Sequence, residues 1–328
     1  MDKLSVAPMM KFSHKYFRVF HRILSSEATL YTEMLTANEV LHLREDVLAD
    51  RIGVVDERTV VQLAGSDPEK VSSAVGKVRM LFNVQNFNLN VGCPSTHAQA
   101  GKFGAVLMKD SQTVCAVVKR VFECHAGIDL SIKCRLGVDE DDEKAAVYRF
   151  VDAVAKCGVR KFIVHARKAL LKFKKTKLNR SVPPLRKDIA VELARDREDL
   201  EIVVNGGVGD LLEVKELLSK GVHGVMIGRK AFSDAGLFLE ADREVFGKDR
   251  RLTKEEAIEQ YRQFLKENPV TKNNYLRAIH PLKQIVSGMC SAGAFRRVLA
   301  EGERHPEELA STIEKACSSL GQTKRQKT

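Results

Sequence analysis

The chain has 328 residues, 44% of them hydrophobic, and a formal net charge of +11 with a pI near 9.3. That length exceeds one small domain and suits a barrel of about 250 residues plus a smaller appendage, while no apolar run approaches the ~20 residues of a membrane span. Seven cysteines, scattered without CxxC or Cys/His spacing, argue against both a disulfide framework and a metal site. The start, Met1-Asp2-Lys3, runs straight into strand-like sequence without the apolar core of a signal peptide. A cytoplasmic, reducing compartment is the expectation, with an organelle as the alternative if a transit peptide has been removed.

In chain order, eight short β-rich segments recur: Leu4–Ala7, Leu30–Glu33, Val60–Leu63, Phe87–Val91, Leu130–Cys134, Lys161–His165, Glu201–Asn205 and Gly224–Ile227. Several are nearly continuous apolar runs, as expected of parallel strands covered on both faces. Between them, Pro68–Leu81, Thr113–Cys124, Lys144–Lys156 and Leu211–Leu218 carry apolar residues at helical spacing. Eight strand–helix units predict an α/β fold, a (β/α)8 TIM barrel. A doubly wound sheet is the alternative, but it needs fewer strands and usually a glycine-rich first turn, which is missing. Beyond the barrel the pattern is helical: Lys254–Lys266, Tyr275–Ser287, Ala294–Glu301 and Pro306–Leu320, with breaks at Asn268-Pro269 and His305-Pro306. The expected organisation is a catalytic barrel over residues 1–250, a C-terminal all-helical domain over 251–320 and a disordered basic tail over 321–328.

The most informative run is Asn88-Leu89-Asn90-Val91-Gly92-Cys93-Pro94, a buried strand ending at a glycine and a proline with a cysteine between them. Gly92 permits close backbone approach and Pro94 stiffens the turn, so the thiol is placed to give or take a proton. A buried structural cysteine is the bland alternative. In a barrel, functional groups gather at the C-terminal strand ends. Those ends carry Pro8-Met9-Met10, Glu33, Gln62, Asn90 with Cys93, Lys133 with Arg135, His165 with Arg167, Asn205-Gly206-Gly207 and Gly228-Arg229. The last two follow strands seven and eight, where barrels frequently build a phosphate site, and Arg229 would add a charge-assisted contact. Two tight turns with an incidental arginine are the alternative. A phosphate there, with Lys133 and Gln62 toward the barrel centre, suits a flavin mononucleotide, whose reduced ring is electron-rich near N1 and the C2 carbonyl. Lys133 on an apolar strand is costly to bury without an anion, and a structural ion pair with Glu33 is the other way to meet that cost.

From Arg167 to Arg180 there are seven basic residues, Lys174 and Lys175 among them, and no acidic one. Like charges without counter-charge repel, which points to an anionic partner such as nucleic acid. Taken together, Ala7-Pro8-Met9, Asn88 to Ser95, His165-Ala166-Arg167-Lys168, Pro183-Pro184-Leu185, Asn205-Gly206-Gly207 and Gly228-Arg229 resemble the tRNA-dihydrouridine synthases, in particular their A subfamily. The resemblance covers residues 4–247 and, more loosely, the helical remainder. It implies FMN-dependent reduction of the uracil C5=C6 bond at positions 20 and 20a of the tRNA D-loop, with NADPH as transient reductant and Cys93 as proton donor. It further implies that Pro8, Met9 and Met10 lie against the isoalloxazine and that Gln62 and Lys133 meet its pyrimidine edge. His165, Asn205, Gly206, Gly207, Gly228 and Arg229 would hold the ribityl phosphate end. Asn90 and Arg135 would address the uracil, Lys177 with Arg180 and Arg296 with Arg297 would contact tRNA, and the protein would act as a monomer without metal or membrane.

The chemistry is coherent beside the resemblance. A proton donor must be a thiol at the moment of transfer, and an ordinary thiol pKa of about 8.5 meets that near pH 7. The uracil must leave its stack, which favours a loop nucleotide. Two departures stand out: the loop Lys172 to Thr176 is more basic than the family pattern and lacks its glycine and proline, and the run Gly293 to Arg297 is shortened and lacks a tryptophan. Two other functions compete. A flavin oxidoreductase of a free pyrimidine or other small molecule would not need the cationic loop, and salt-insensitive turnover would mark it. A tRNA-binding protein with decayed redox chemistry would be colourless when pure.

Overall fold

The computed structural model describes residues 2–173, 176–289 and 291–321. Lys174 and Lys175 of the basic loop and residues 322–328 of the expected tail lie outside the described residues. The chain separates into two compact units, Met1–Ser13 with Ala28–Gly228, and His14–Glu27 with Arg229–Thr328.

The first unit is the barrel. Its strands are β1 (Leu4–Val6), β2 (Thr29–Tyr31), β3 (Leu35–Thr36), β4 (Thr59–Ala64), β5 (Asn86–Asn90), β6 (Asp129–Arg135), β7 (Lys161–His165), β8 (Glu201–Asn205) and β9 (Gly224–Ile227). All pairings are parallel, running β2-β1-β9-β8-β7-β6-β5-β4, and β2 also pairs with β4 through Leu30↔Thr59 and Tyr31↔Val60. That last pairing closes eight strands into a ring, which settles barrel against open sheet. The ninth strand, β3, is a two-residue addition beside the end of β4, too short to leave a periodic signal. The expected second strand is shifted by the same local structure, for β2 ends at Tyr31 and Glu33 lies beyond it.

Helices between strands begin where carboxylate side chains accept otherwise unpaired N–H groups. Asp67 caps Pro68–Phe82, Asp110 caps Ser111–Cys124, Asp142 caps Glu143–Ala155 and Asp210 caps Leu211–Ser219. Each agrees with its predicted counterpart to within two residues at either end. Ala7, Tyr31, Val60, Ile163, Val203 and Met226 pack together as one apolar cluster from six different strands or their ends, joined by Met9. On β4–β6 the residues in register are instead polar: Gln62↔Asn88, Asn88↔Ser131 and Asn90↔Lys133. The barrel interior is thus apolar on one side and amide-rich on the other.

The second unit is helical: Lys15–Leu24, Arg229–Ser233, Ala241–Phe246, Lys254–Glu267, Tyr275–Ile285, Ala292–Glu301 and Leu309–Gly321. The helix Lys15–Leu24 joins this unit although it lies between β1 and β2 in sequence. Its C-terminal end explains why: Asp242 accepts from the hydroxyl of Ser25, the Ser26 N–H at 2.8 Å and the Ser26 hydroxyl at 2.9 Å. Arg250 donates to the carbonyls of Ile23 at 2.6 Å and Leu24 at 2.8 Å. Arg250 therefore satisfies carbonyls at the open end of that helix, and the buried Asp242 carboxylate takes the donors of the two residues that follow it. Among the described residues no helix is long and apolar enough to cross a membrane.

Candidate functional site

All eight barrel strands run the same way, so their C-terminal ends share one rim. Asn90, Lys133, Arg135, His165 and Asn205 occupy neighbouring places on it through the pairs Asn90↔Lys133, Arg135↔His165 and His165↔Asn205. Cys93 follows three residues after the end of β5. Its backbone is held on both sides: its N–H donates to Asn90 Oδ1 at 2.9 Å, and its carbonyl accepts the Ala105 N–H at 2.8 Å. The Gly92 N–H donates to the same Asn90 oxygen at 3.1 Å. Asn90 in turn donates through Nδ2 to Gln62 Oε1 at 2.9 Å, and Gln62 donates to Asn88 Oδ1 at 2.7 Å. Asn88 donates to Ser131 Oγ at 2.9 Å. Among the described residues one Asn90 amide hydrogen has no acceptor, and the amide chain closes Gln62 off at 1% exposure.

Lys133 donates through Nζ to Asn205 Oδ1 at 2.9 Å, and Asn205 donates to the Met226 carbonyl at 2.8 Å. Among the described residues no carboxylate pairs with Lys133, while Glu33 accepts from the Lys11 N–H. The Lys133–Glu33 ion pair considered above is therefore absent. Burial, reinforced by Arg135, lowers the Lys133 ammonium from 10.5 to about 7. A cation so placed is short of an anion.

Arg135 is buried. It donates through Nε to the Gly92 carbonyl at 3.0 Å and through Nη1 to the carbonyls of Lys168 at 3.0 Å and Asn179 at 2.8 Å. Burial pushes its guanidinium down to about 10, and Arg180 and Arg167 push the same way. Arg135 thus ties the Cys93 turn to the cationic loop, and among the described residues its Nη2 has no acceptor. Asn179, absent from the sequence reading, is fully buried and brackets Leu170, accepting its N–H at 2.6 Å and donating to its carbonyl at 2.9 Å. A loop asparagine carries no periodic signal, so only the fold reveals this role. Asn88 and Ser131 were also missed, although Asn88 lies two residues before Asn90 and so faces the same way.

After β8 the backbone turns through Gly206 at φ 123° and Gly207 at φ 66°. A Cβ on Gly206 would come within 2.9 Å of the His165 ring and 3.1 Å of Leu185; one on Gly207 would come within 2.6 Å of Leu185. Gly228, after β9, has no such constraint: a Cβ there would meet Ala7 at 3.6 Å and Met9 Sδ at 3.7 Å, ordinary contacts. Pro8 and Met9 are half-buried near the end of β1, and Met10 is exposed. Lys177 is exposed and Arg180 half-buried on the turn Leu178–Arg180. Arg229 opens a helix of the second unit, as exposed residue next in chain to Gly228. Arg296 and Arg297 share the helix Ala292–Glu301, where Arg296 donates to the Lys283 carbonyl at 3.0 Å. The structure therefore brings the fifteen expected residues up to Gly228 into the barrel unit and Arg229, Arg296 and Arg297 into the other. Among the described residues no group of three or more His, Cys, Asp or Glu could hold a metal ion.

Fold and rim together define a (β/α)8 barrel whose polar groups gather at the C-terminal strand ends. A solved structure described as "Crystal structure of TcOYE with pHBA" superposes with a TM-score of 0.51, covering 78% of this chain and 92% of that one at 8% identity, a likeness of fold alone. The family model for dihydrouridine synthase (Dus) matches residues 5–320. A tRNA-dihydrouridine(20/20a) synthase of Xanthomonas campestris pv. campestris is 35% identical over 317 residues, 96% of this chain and 92% of that protein. The protein of the same name from Yersinia pestis is 36% identical over 319 residues, covering 96% and 91%, and that from Vibrio vulnificus 34% over 322 residues, covering 98% and 97%. The chain belongs to the dihydrouridine synthase family.

Proposed function

We propose that this protein reduces the C5=C6 bond of uridine 20 or 20a in the tRNA D-loop, with FMN as resident cofactor, NADPH as reductant and Cys93 as proton donor. The carrying observation is that a thiol, a half-buried lysine without a carboxylate partner among the described residues and a double-glycine turn share one barrel rim. The residues fit a flavin on two counts. Lys133 lacks the anion that its burial calls for, and a Cβ at Gly206 or Gly207 would fill the cradle beside His165 and Leu185.

Lys133 and Asn205 would meet the electron-rich edge of the ring, with Pro8, Met9 and Met10 against its face. Gln62, closed off, supports that wall through Asn90. His165, Gly206, Gly207 and Gly228 would hold the ribityl phosphate end, and Arg229 would add its charge. Bound flavin supplies the hydride for C6. The chain supplies the rest: the remaining amide hydrogen of Asn90 and Nη2 of Arg135 orient the uracil carbonyls, and Cys93 Sγ releases its proton to C5. Lys177 and Arg180 would neutralise tRNA phosphates, as would Arg296 and Arg297 on the helical domain of residues 251–320. The protein acts as a monomer in the cytoplasm on this reading.

The test is Cys93→Ala. The variant should keep the yellow flavin absorption and tRNA affinity and lose dihydrouridine formation, read by nucleoside analysis of a D-loop transcript. Near wild-type formation would remove Cys93 from the reaction.

A further inference from the structure

Proton transfer from a thiol leaves a thiolate, and a thiolate in a partly dry site needs a hydrogen-bond donor. The Cys93 backbone is fixed by Asn90 and Ala105, and a Cβ on Gly104 would approach the Cys93 carbonyl to 2.5 Å. Side-chain rotation alone therefore sets the sulfur's position. Cys93 Sγ lies 3.4 Å from Ser95 Oγ, donating its S–H to it. The same oxygen accepts the Ala98 N–H at 3.1 Å, capping the turn Thr96–Ala100. Ser95 is half-buried, and among the described residues its own hydroxyl proton has no acceptor.

We infer that Ser95 is the acid–base partner of Cys93: it accepts the thiol S–H in the resting protein, then turns to donate to the thiolate left after transfer and conducts a solvent proton back to it. The inference rests on the proton-donor reading of Cys93. Each element has a physical cause. The Ala98 N–H polarises the Ser95 hydroxyl and makes it a stronger donor. A hydroxyl can reverse its donor and acceptor roles by one rotation, which a backbone amide cannot. The proton count closes. The S–H bond breaks as the C5–H bond forms, and the thiolate regains one proton from water while Ser95 ends unchanged. Gln99 keeps the turn in place, donating to the carbonyls of Pro94 at 3.1 Å and Leu171 at 3.0 Å.

The test reads the thiol directly, without RNA. The pH dependence of Cys93 alkylation by iodoacetamide is followed on its peptide by mass spectrometry, in the purified full-length protein. Ser95→Ala should move the midpoint up by about one pH unit, and Ser95→Thr, which keeps a hydroxyl, should restore it. Ser95→Gly gives the same reading with an N-cap residue that costs only a few tenths of a kcal/mol, so loss of the cap cannot mimic the effect. Single-turnover dihydrouridine formation should slow about tenfold in Ser95→Ala with tRNA affinity unchanged. Unshifted midpoints in the alanine and glycine variants would overturn the assignment, as would a threonine variant that behaves like alanine. An active Cys93→Ala protein would overturn the proton-donor reading of Cys93 on which this inference rests; an inactive one with unshifted Ser95 variants overturns only the role of Ser95.

Discussion

A lysine on the strand Leu130 to Cys134 stands out in the sequence because it interrupts an apolar run, and the structure shows what that interruption costs. Lys133 bonds one neutral amide, Asn205, and its ammonium is lowered to about 7 chiefly by burial. An anion bound beside it favours the charged form. Flavin binding near neutrality and above must then take up a proton. Affinity should be flat below about pH 7 and fall by up to about tenfold per pH unit above it. In Lys133→Gln the affinity should be weaker and that slope gone. Equilibrium binding of flavin to deflavinated protein between pH 6 and 9 checks both, and an unaltered slope in the variant would assign the proton to another group. The Glu33 ion pair, one of the two readings left open by the sequence, is excluded because Glu33 falls outside β2 and serves the Lys11 N–H.

Among elements, the turn after β8 is the sharpest constraint. Gly206 sits at φ 123°, where a side chain is strained, and a Cβ there would press on the His165 ring at 2.9 Å. Gly206→Ala should cost about 1–3 kcal/mol of stability and lose flavin on gel filtration, whereas Gly293→Ala, in the helix Ala292–Glu301 with nothing within 4 Å of the added Cβ, should retain both. Equal behaviour of the two would show that the turn is not a cradle. Eight strands and the main helices were legible because each repeats an apolar pattern over enough residues to be seen. The strand Leu35–Thr36 was not, being two residues long. Nor were the roles of Asn179 and of Nε and Nη1 of Arg135, because hydrogen bonds between loops distant in sequence have no period.

At the scale of the whole molecule, the second unit contains histidines held neutral. His14 accepts the Phe17 N–H at Nδ1, and burial lowers it to about 3. His280 stacks on Phe232 with centroids 3.8 Å apart, and burial lowers it to about 4. A histidine whose folded pKa is depressed gives stability that is present above its unfolded pKa of about 6.5 and lost as pH falls toward the folded value. Stability should therefore decline between about pH 6.5 and pH 4. His14→Asn, which preserves the N-cap, should reduce that decline by up to about 1.4 kcal/mol per pH unit. Urea unfolding at pH 7 and pH 5 measures it; an equal loss in both proteins would exclude His14 as the cause.

Periodicity and local chemistry carried the strand and helix pattern, the cysteine between glycine and proline, the glycine turns and the cationic loop, since each is written within a few consecutive residues. Closure of the ring by the Tyr31↔Val60 pairing, the capture of Lys15–Leu24 by the C-terminal helices and the lack, among the described residues, of a carboxylate beside Lys133 could not be read that way. Each depends on which groups meet across long stretches of chain, and such meetings are settled by packing and by the need of every buried polar group for a partner.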